Sequence, residues 1–179
     1  MYRKVKRSSV PEGAKIIQTR WIDINKGDEA NPNIRCRLVA KDFNTEDKPE
    51  LFAGTPPLEA LRIICSEAST MGGGEKVIMV NDVRRAFFYA KALRPAWIEL
   101  PAEDYNEEDM AEDNVGLLEM SLYGTRDAAQ NWQNTVEKHL KKIGFKQGLA
   151  SGSVFYMRRG NYRHWFMETI MLQSGRRRT

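Results

Sequence analysis

The sequence is poor in cysteine and histidine, with two of each among 179 residues. Cys36 and Cys65 are too few for a disulfide framework, and with His139 and His164 they lack zinc-finger spacing. Both cysteines read as core or neutral residues in a reducing compartment. Long apolar runs are missing too: no stretch approaches the ~18 residues that suggest a membrane span. The opening "MYRKVKRSSVPEG" has no apolar segment of a secretory leader. The expectation is a cytoplasmic or nuclear chain with no membrane partner. Repeats and low-complexity tracts are absent, and the glycines 72–74 run into Glu75 rather than Gly-Lys-Ser/Thr, which excludes a phosphate-cradling loop there.

What is present is charge, unevenly spread. The chain holds 28 Lys and Arg against 24 Asp and Glu, yet "EDYNEEDMAED" from Glu103 to Asp113 carries seven acids and no base. Setting those seven aside leaves an excess of +11. A surface of that sign favours a polyanion such as nucleic acid. Scattered lysines kept for solubility are the plain alternative.

Hydrophobic periodicity then gives the elements. Two extended runs, Lys15 to Asn25 and Asn33 to Phe43, flank a polar turn with Gly27 and Pro32 and predict a hairpin. Arg35, Arg37 and Lys41 alternate on its second arm and would share a face. "TPPLEALRIICSEASTMGGG" predicts a helix with Thr55 as a possible cap. "KVIMVND" predicts a short buried strand that delivers Asp82 at its end, and "AWIELP" a second strand, with the acidic stretch after it as a solvated loop. "RDAAQNWQNTVEKHLKKIGF" is the clearest helix, with Trp132, Val136, Leu140 and Ile143 on one face and Gly144 as its stop. "SVFYM" and "YRHWF" around a turn at Arg159-Gly160-Asn161 predict a closing hairpin. Helices and antiparallel strands are segregated rather than alternating, which predicts an α+β architecture.

Asp82, an acid at the tip of a strand in a basic chain, suits a divalent-metal site, because Mg2+ takes oxygen ligands and tolerates few carboxylates. Two-metal phosphoryl transfer normally uses more than one protein carboxylate, so one Asp is half a site. The alternative is a cap on the turn from Val83 to Ala86, or a pair with Arg84 or Arg85.

The ordered blocks "RWIDINK … RCRLVAKDF", "TPPLEALRIICSEAS", "NDVRRAFFYAK", "IELP" and "SLYGTRDAAQNW … IGF … SVFY" resemble the reverse transcriptase of copia-type retrotransposons, from about Val10 to about Arg163. The resemblance implies a right-hand polymerase in which this chain supplies the fingers and part of the palm, an antiparallel sheet with packed helices. It implies a basic tail at 1–10, a fingers and palm region at 11–163 and an aberrant tail at 164–179. It makes Asp82 the first catalytic carboxylate, binding both of two Mg2+ ions, with the Val83 carbonyl near the second. Phe87 falls where an aromatic ring would meet the sugar of the incoming nucleotide and exclude a 2′-OH. Arg37 and Lys41 correspond to residues that grip the triphosphate. Tyr123, Gly124 and Arg126 fall in the segment beneath the nucleotide and template base. The implied partners are an RNA or DNA template-primer and a dNTP. Ala129 stands where many relatives have Pro, and Trp132 reads as core rather than a stacking platform.

The resemblance also calls for an Asp-Asp pair on a hairpin after "SVFY". Here "RHWFMETIMLQSGRRRT" offers only Glu168. Arg163 to Met171 can be encoded AGA CAC TGG TTC ATG GAG ACG ATT ATG. Regrouped one base earlier, those bases read ACA CTG GTT CAT GGA GAC GAT TAT, or Thr-Leu-Val-His-Gly-Asp-Asp-Tyr. A one-base frameshift would therefore explain the missing pair, and a genuine terminus or a different splice is the alternative. A fragment with Asp82 alone is expected to be inactive, with an unpaired edge where the closing hairpin should continue. Two other readings are a non-catalytic nucleic-acid-binding remnant and a pseudogene product that does not fold.

Overall fold

The computed structural model describes residues 1–43, 56–70, 76–80, 82–159, 162–167 and 170–174, with the backbone alone from Arg159 onward. It is α+β, as expected, and divides into two compact units, Met1–Phe52 with Arg85–Trp132 and Ala53–Arg84 with Gln133–Thr179.

In the first unit the opening residues, expected as a basic tail, form strand β1 (Tyr2–Lys6). It pairs antiparallel with a strand that hydrophobic patterning had not revealed, β7 (Asn114–Leu118), in the register Tyr2↔Leu118. β7 also pairs with β6 (Trp97–Ile98), and β6 runs parallel to β2 (Ile16–Ile17), giving the sheet order β1-β7-β6-β2. Beneath this sheet Ile17, Ala40, Ala96, Ile98, Leu118 and Leu122 make one core, against which Tyr2, Phe88 and Ala92 pack. Burying each large aliphatic side chain is worth about 1.5–3 kcal/mol, so this cluster is the main apolar support of the unit.

A strand reading YRKVK is tolerable because its cations find partners about a hundred positions away. Lys4 Nζ donates to Asp109 Oδ2 at 2.7 Å and to the Asp104 carbonyl at 2.6 Å, Lys6 meets Glu112 at 3.1 Å, and Arg7 forks onto Glu99 and reaches Asp113 at 2.9 Å. The acidic stretch is therefore not a solvated loop. It holds a short 3-10 turn at Ala102–Asp104 and helix α2 (Glu107–Glu112). Asn106 caps that helix, its Oδ1 accepting from the Asp109 N–H at 2.8 Å while Asp109 Oδ2 accepts from the Asn106 N–H at 3.1 Å, so two orphan donors are satisfied reciprocally. The hydrogen bond from Lys4 holds the buried Asp109 carboxyl below its usual range, and Lys6 does the same for Glu112. Burial, with a hydrogen bond to Asp104, pushes the Tyr2 phenol up.

The predicted hairpin is present as β3 (Thr19–Asn25) and β4 (Ile34–Ala40), in the register Thr19↔Ala40 to Asn25↔Ile34. Asn25 Oδ1 closes its turn by accepting from the N–H groups of Gly27 and Asn33, both at 2.9 Å. Burial grows toward its root: Ile34 is 57% exposed, Leu38 only 7%.

The second unit is built on an antiparallel sheet in the order β5-β11-β10-β9-β8. Its strands are β5 (Lys76–Val80), β8 (Lys146–Gln147), β9 (Val154–Arg159), β10 (Tyr162–Met167) and β11 (Ile170–Ser174). The closing hairpin pairs Tyr162 with Arg159, as expected, though Gly160 and Asn161 lie outside the described residues. β11 pairs with both β10 and β5, so the edge expected to be unpaired is occupied at 170–174. Helix α1 (Leu58–Ser69) sets Ile64 in a small core with Leu61, Ala68 and Val154. Thr55, its expected cap, and the glycines that follow it lie outside the described residues, and Pro57 takes the N-cap position. The later turns of helix α3 (Ala128–Lys142) pack Val136 and Leu140 with Phe145, Phe155 and Met157. Gly144, at φ +101°, follows that helix as predicted.

Two expectations about burial fail. β5 was read as buried, but as the outermost strand of its sheet it leaves Val77 to Val80 exposed by 41–66%. Ile143 is 49% exposed because α3 ends one residue earlier. Of the two readings of the cysteines, core or neutral, the core one is excluded: Cys36 and Cys65 are both free and exposed. Among the described residues no helix is long and apolar enough to cross a membrane.

Candidate functional site

The hairpin root and the turn after Leu122 are joined through their backbones. Where β4 ends, the Ala40 N–H donates to the Tyr123 carbonyl at 2.7 Å, and the Asp42 N–H donates to the Gly124 carbonyl at 3.3 Å. The approach is close enough to exclude a side chain. Gly124 sits at φ +83°, and a Cβ there would stand 2.1 Å from the Ala40 carbonyl oxygen. Only glycine meets both demands.

This junction presents Tyr123 to three side chains from elsewhere. Phe87, on the short 3-10 turn Ala86–Tyr89, packs its ring 4.7 Å from that of Tyr123 at 51°, and Phe88 meets it edge-on at 5.7 Å. The Arg37 guanidinium lies over the same ring, 5.7 Å from its centroid, a favourable cation–π placement. Arg37, Phe87, Tyr123 and Gly124 are thus brought together. β4 stops at Ala40, so Lys41 lies just past the strand and is half-buried, while Arg35 and Arg37 keep the expected alternation and are exposed.

Arg126 is engaged with Asp42. Its backbone N–H donates to Asp42 Oδ2 at 3.2 Å and its Nε stands 3.4 Å from Asp42 Oδ1. Arg94 reaches the same carboxylate from Nη2 at 2.6 Å and extends to Asp127 Oδ1 at 3.3 Å. Asp127 also accepts from Asn131 Nδ2 at 2.9 Å, and Asn131 reaches the Ser121 hydroxyl. The Asp42 side chain is 2% exposed. Asp42, Arg94 and Asp127 were missed by sequence reasoning, and no local signal could have found them, because their partners lie 33 to 84 positions apart.

Asp82 and Val83 belong to the second unit, begin two positions past the end of β5, and are exposed. The pair Ile170↔Val80 sets the start of β11 beside the end of β5 that leads toward Asp82. Glu168, the one acid of the sequence after "SVFYM", lies outside the described residues. Among the described residues no group of three or more His, Cys, Asp or Glu could hold a metal ion. Among the described residues, one carboxylate and a backbone carbonyl do not by themselves make up the two-ion Mg2+ site that the resemblance implies.

A family model described as reverse transcriptase (RNA-dependent DNA polymerase) matches residues 2–170, and the chain belongs to that family. Its branch is the copia type of retrotransposon Pol polyproteins. The chain is 25% identical over 155 residues to the retrovirus-related Pol polyprotein from transposon RE2 of Arabidopsis thaliana, and 26% identical to that from transposon RE1 of the same plant, with 84% of this chain covered in each case. It is 24% identical to the corresponding polyprotein from transposon TNT 1-94 of Nicotiana tabacum, over 83% of its length. The chain spans only about a tenth of these relatives, 10–11% of each. No solved structure matches it.

Proposed function

We propose that residues 11–163 are the fingers and part of the palm of an RNA-directed DNA polymerase, with an RNA or DNA template-primer and a dNTP as partners. The observation that carries this reading is the stack of Arg37 and Phe87 on Tyr123, at the root of a basic hairpin. An arginine held over a ring keeps its planar fork oriented, which suits bidentate binding of a triphosphate oxygen pair, and Lys41 adds a point charge. The Phe87 ring is the wall that would collide with a 2′-OH, so a deoxyribose is admitted and a ribose rejected. Tyr123 and Gly124 form the floor beneath the nucleotide and template base. Asp82 is the first catalytic carboxylate, followed by Val83.

This stretch by itself does not catalyse nucleotidyl transfer, because its residues carry no Asp-Asp pair after the SVFY strand. The purified chain is expected to give no extension of a primed RNA template with Mg2+ or Mn2+, and extension should return when the reading frame after Arg163 is restored. Extension by the unaltered chain overturns the inactivity. Failure of Arg37→Ala to weaken dNTP binding overturns the assignment of the stack.

A further inference from the structure

We infer that Asp42 is a positioning residue: its buried carboxylate fixes the turn that carries Tyr123, Gly124 and Arg126 against the hairpin root, and so sets the geometry of the Arg37–Tyr123–Phe87 stack. The nucleotide-facing role of that stack rests on the reading above; the positioning itself does not. Three kinds of bond converge on this one residue. Its backbone N–H holds the Gly124 carbonyl, its Oδ2 accepts from the Arg126 N–H and from Arg94 Nη2, and its Oδ1 faces Arg126 Nε. The loop from Gly124 to Arg126 is therefore gripped at both ends by a single residue of the opposing segment, two positions past the end of β4.

Electrostatics make the carboxylate hard to replace. Arg94 and Arg126 both point at it, and each buries an Nε that has no hydrogen-bond partner. Asp127 lies near Arg94 alone, at 3.3 Å. Without the Asp42 charge two partly buried guanidinium groups would converge on one neutral site, with Asp127 compensating Arg94 alone, and that repulsion is only partly screened by solvent. The segment free to relieve that repulsion is the Gly124–Arg126 turn, and Tyr123, one position before it, moves with it. A shift of the ring relative to Phe87 alters the sugar wall and the Arg37 fork together, since both rest on the same ring.

The test labels the tyrosines of the full chain with 3-fluorotyrosine and follows their fluorine resonances, Tyr123 being assigned through Tyr123→Phe. Asp42→Asn is nearly isosteric and removes only the charge. It should move the Tyr123 resonance while the other five tyrosines keep theirs, and Asp42→Glu should bring it part of the way back. A Tyr123 resonance in Asp42→Asn that coincides with the unaltered chain overturns the inference. Should Asp42→Asn lose its cooperative melt, Asp42→Glu decides in its place: it keeps the charge but lengthens the grip by one methylene, so the same resonance must move, and an unmoved one refutes the positioning. A parallel titration with dGTP separates the two readings. Affinity is expected to fall about tenfold or more when the Arg37 fork loses a charge-assisted hydrogen bond to the triphosphate. A shifted resonance with unchanged dGTP affinity leaves Asp42 as the positioning residue and removes the nucleotide from the stack.

Discussion

Gly124 offers a sharp test of how the hairpin root is held. Replacing it by alanine has two separable costs. A non-glycine residue at φ +83° costs about 1–2 kcal/mol through contact of its Cβ with the following carbonyl. The new methyl would also stand 2.1 Å from the Ala40 carbonyl oxygen and 3.1 Å from the Ala40 N and C atoms, so the two backbones must part. Parting them breaks the Ala40–Tyr123 and Asp42–Gly124 hydrogen bonds, each worth about 1 kcal/mol net. Gly124→Ala is therefore expected to destabilise the first unit by about 3–4 kcal/mol. Gly13 is the internal control: it has φ +78°, and a Cβ there meets nothing within 4 Å, so Gly13→Ala carries the conformational cost alone, about 1–2 kcal/mol. Both are measured by urea unfolding of the full chain, with amide exchange assigning the transition to the first unit. Equal costs for the two substitutions would refute the close approach of Gly124 to Ala40.

Other expectations follow from the packing and the charges. Leu140→Ala, in the core with Phe145 and Phe155, should cost the second unit about 2–5 kcal/mol in the same urea assay. Asp109 and Glu112 have folded pKa values below their unfolded ones, so the stability they contribute is present above the ordinary carboxylate range and is lost as pH falls through the depressed folded values. Amide exchange at Tyr2–Lys6 should accordingly accelerate in acid relative to β9, and Lys4→Met should remove most of that pH dependence. The hydrogen bond to Asp23 raises the Cys36 thiol pKa; Asp23→Asn should speed its reaction with a thiol reagent at fixed mildly alkaline pH, because the thiolate is the nucleophile. Sequencing the encoding DNA should show Asp-Asp in the preceding frame beneath residues 164–171, and any other reading sinks the frameshift.

Legibility in the sequence tracked how local each determinant is. α1, α3 and the two hairpins were readable because their periodicity and turn residues lie within a few positions of one another. β1 was not. YRKVK is charged and flanked by nothing that predicts a strand, and its reason for pairing, the acids from Glu99 to Asp113, is about a hundred residues away. β7 was hidden for the same reason, as a five-residue strand between an acidic helix and a turn. At the candidate site, Arg37, Phe87 and Tyr123 could be named through the ordered blocks, but their stacking could not. Asp42 looked like one more acid in "KDFNTED", and its place at the centre of two arginines exists only once β4 meets the turn after Leu122.

The pairing of β1 with the acidic segment also changes where an approaching polyanion is drawn. The four cations nearest the start of the chain, Arg3, Lys4, Lys6 and Arg7, each face an acid. From a Debye length away, the seven acids of Glu103 to Asp113 outweigh those four cations, so that side of the first unit does not attract a polyanion. On the hairpin, by contrast, Arg20, Arg35 and Arg37 have Val39, Ile24 and Ile22 opposite them in the ladder rather than acids, so their charge stays uncovered there. Long-range attraction then becomes directional, so encounters are steered toward one surface before any contact forms. The acidic segment thus acts as an electrostatic mask: by hiding one set of charges it sharpens the pull of the other.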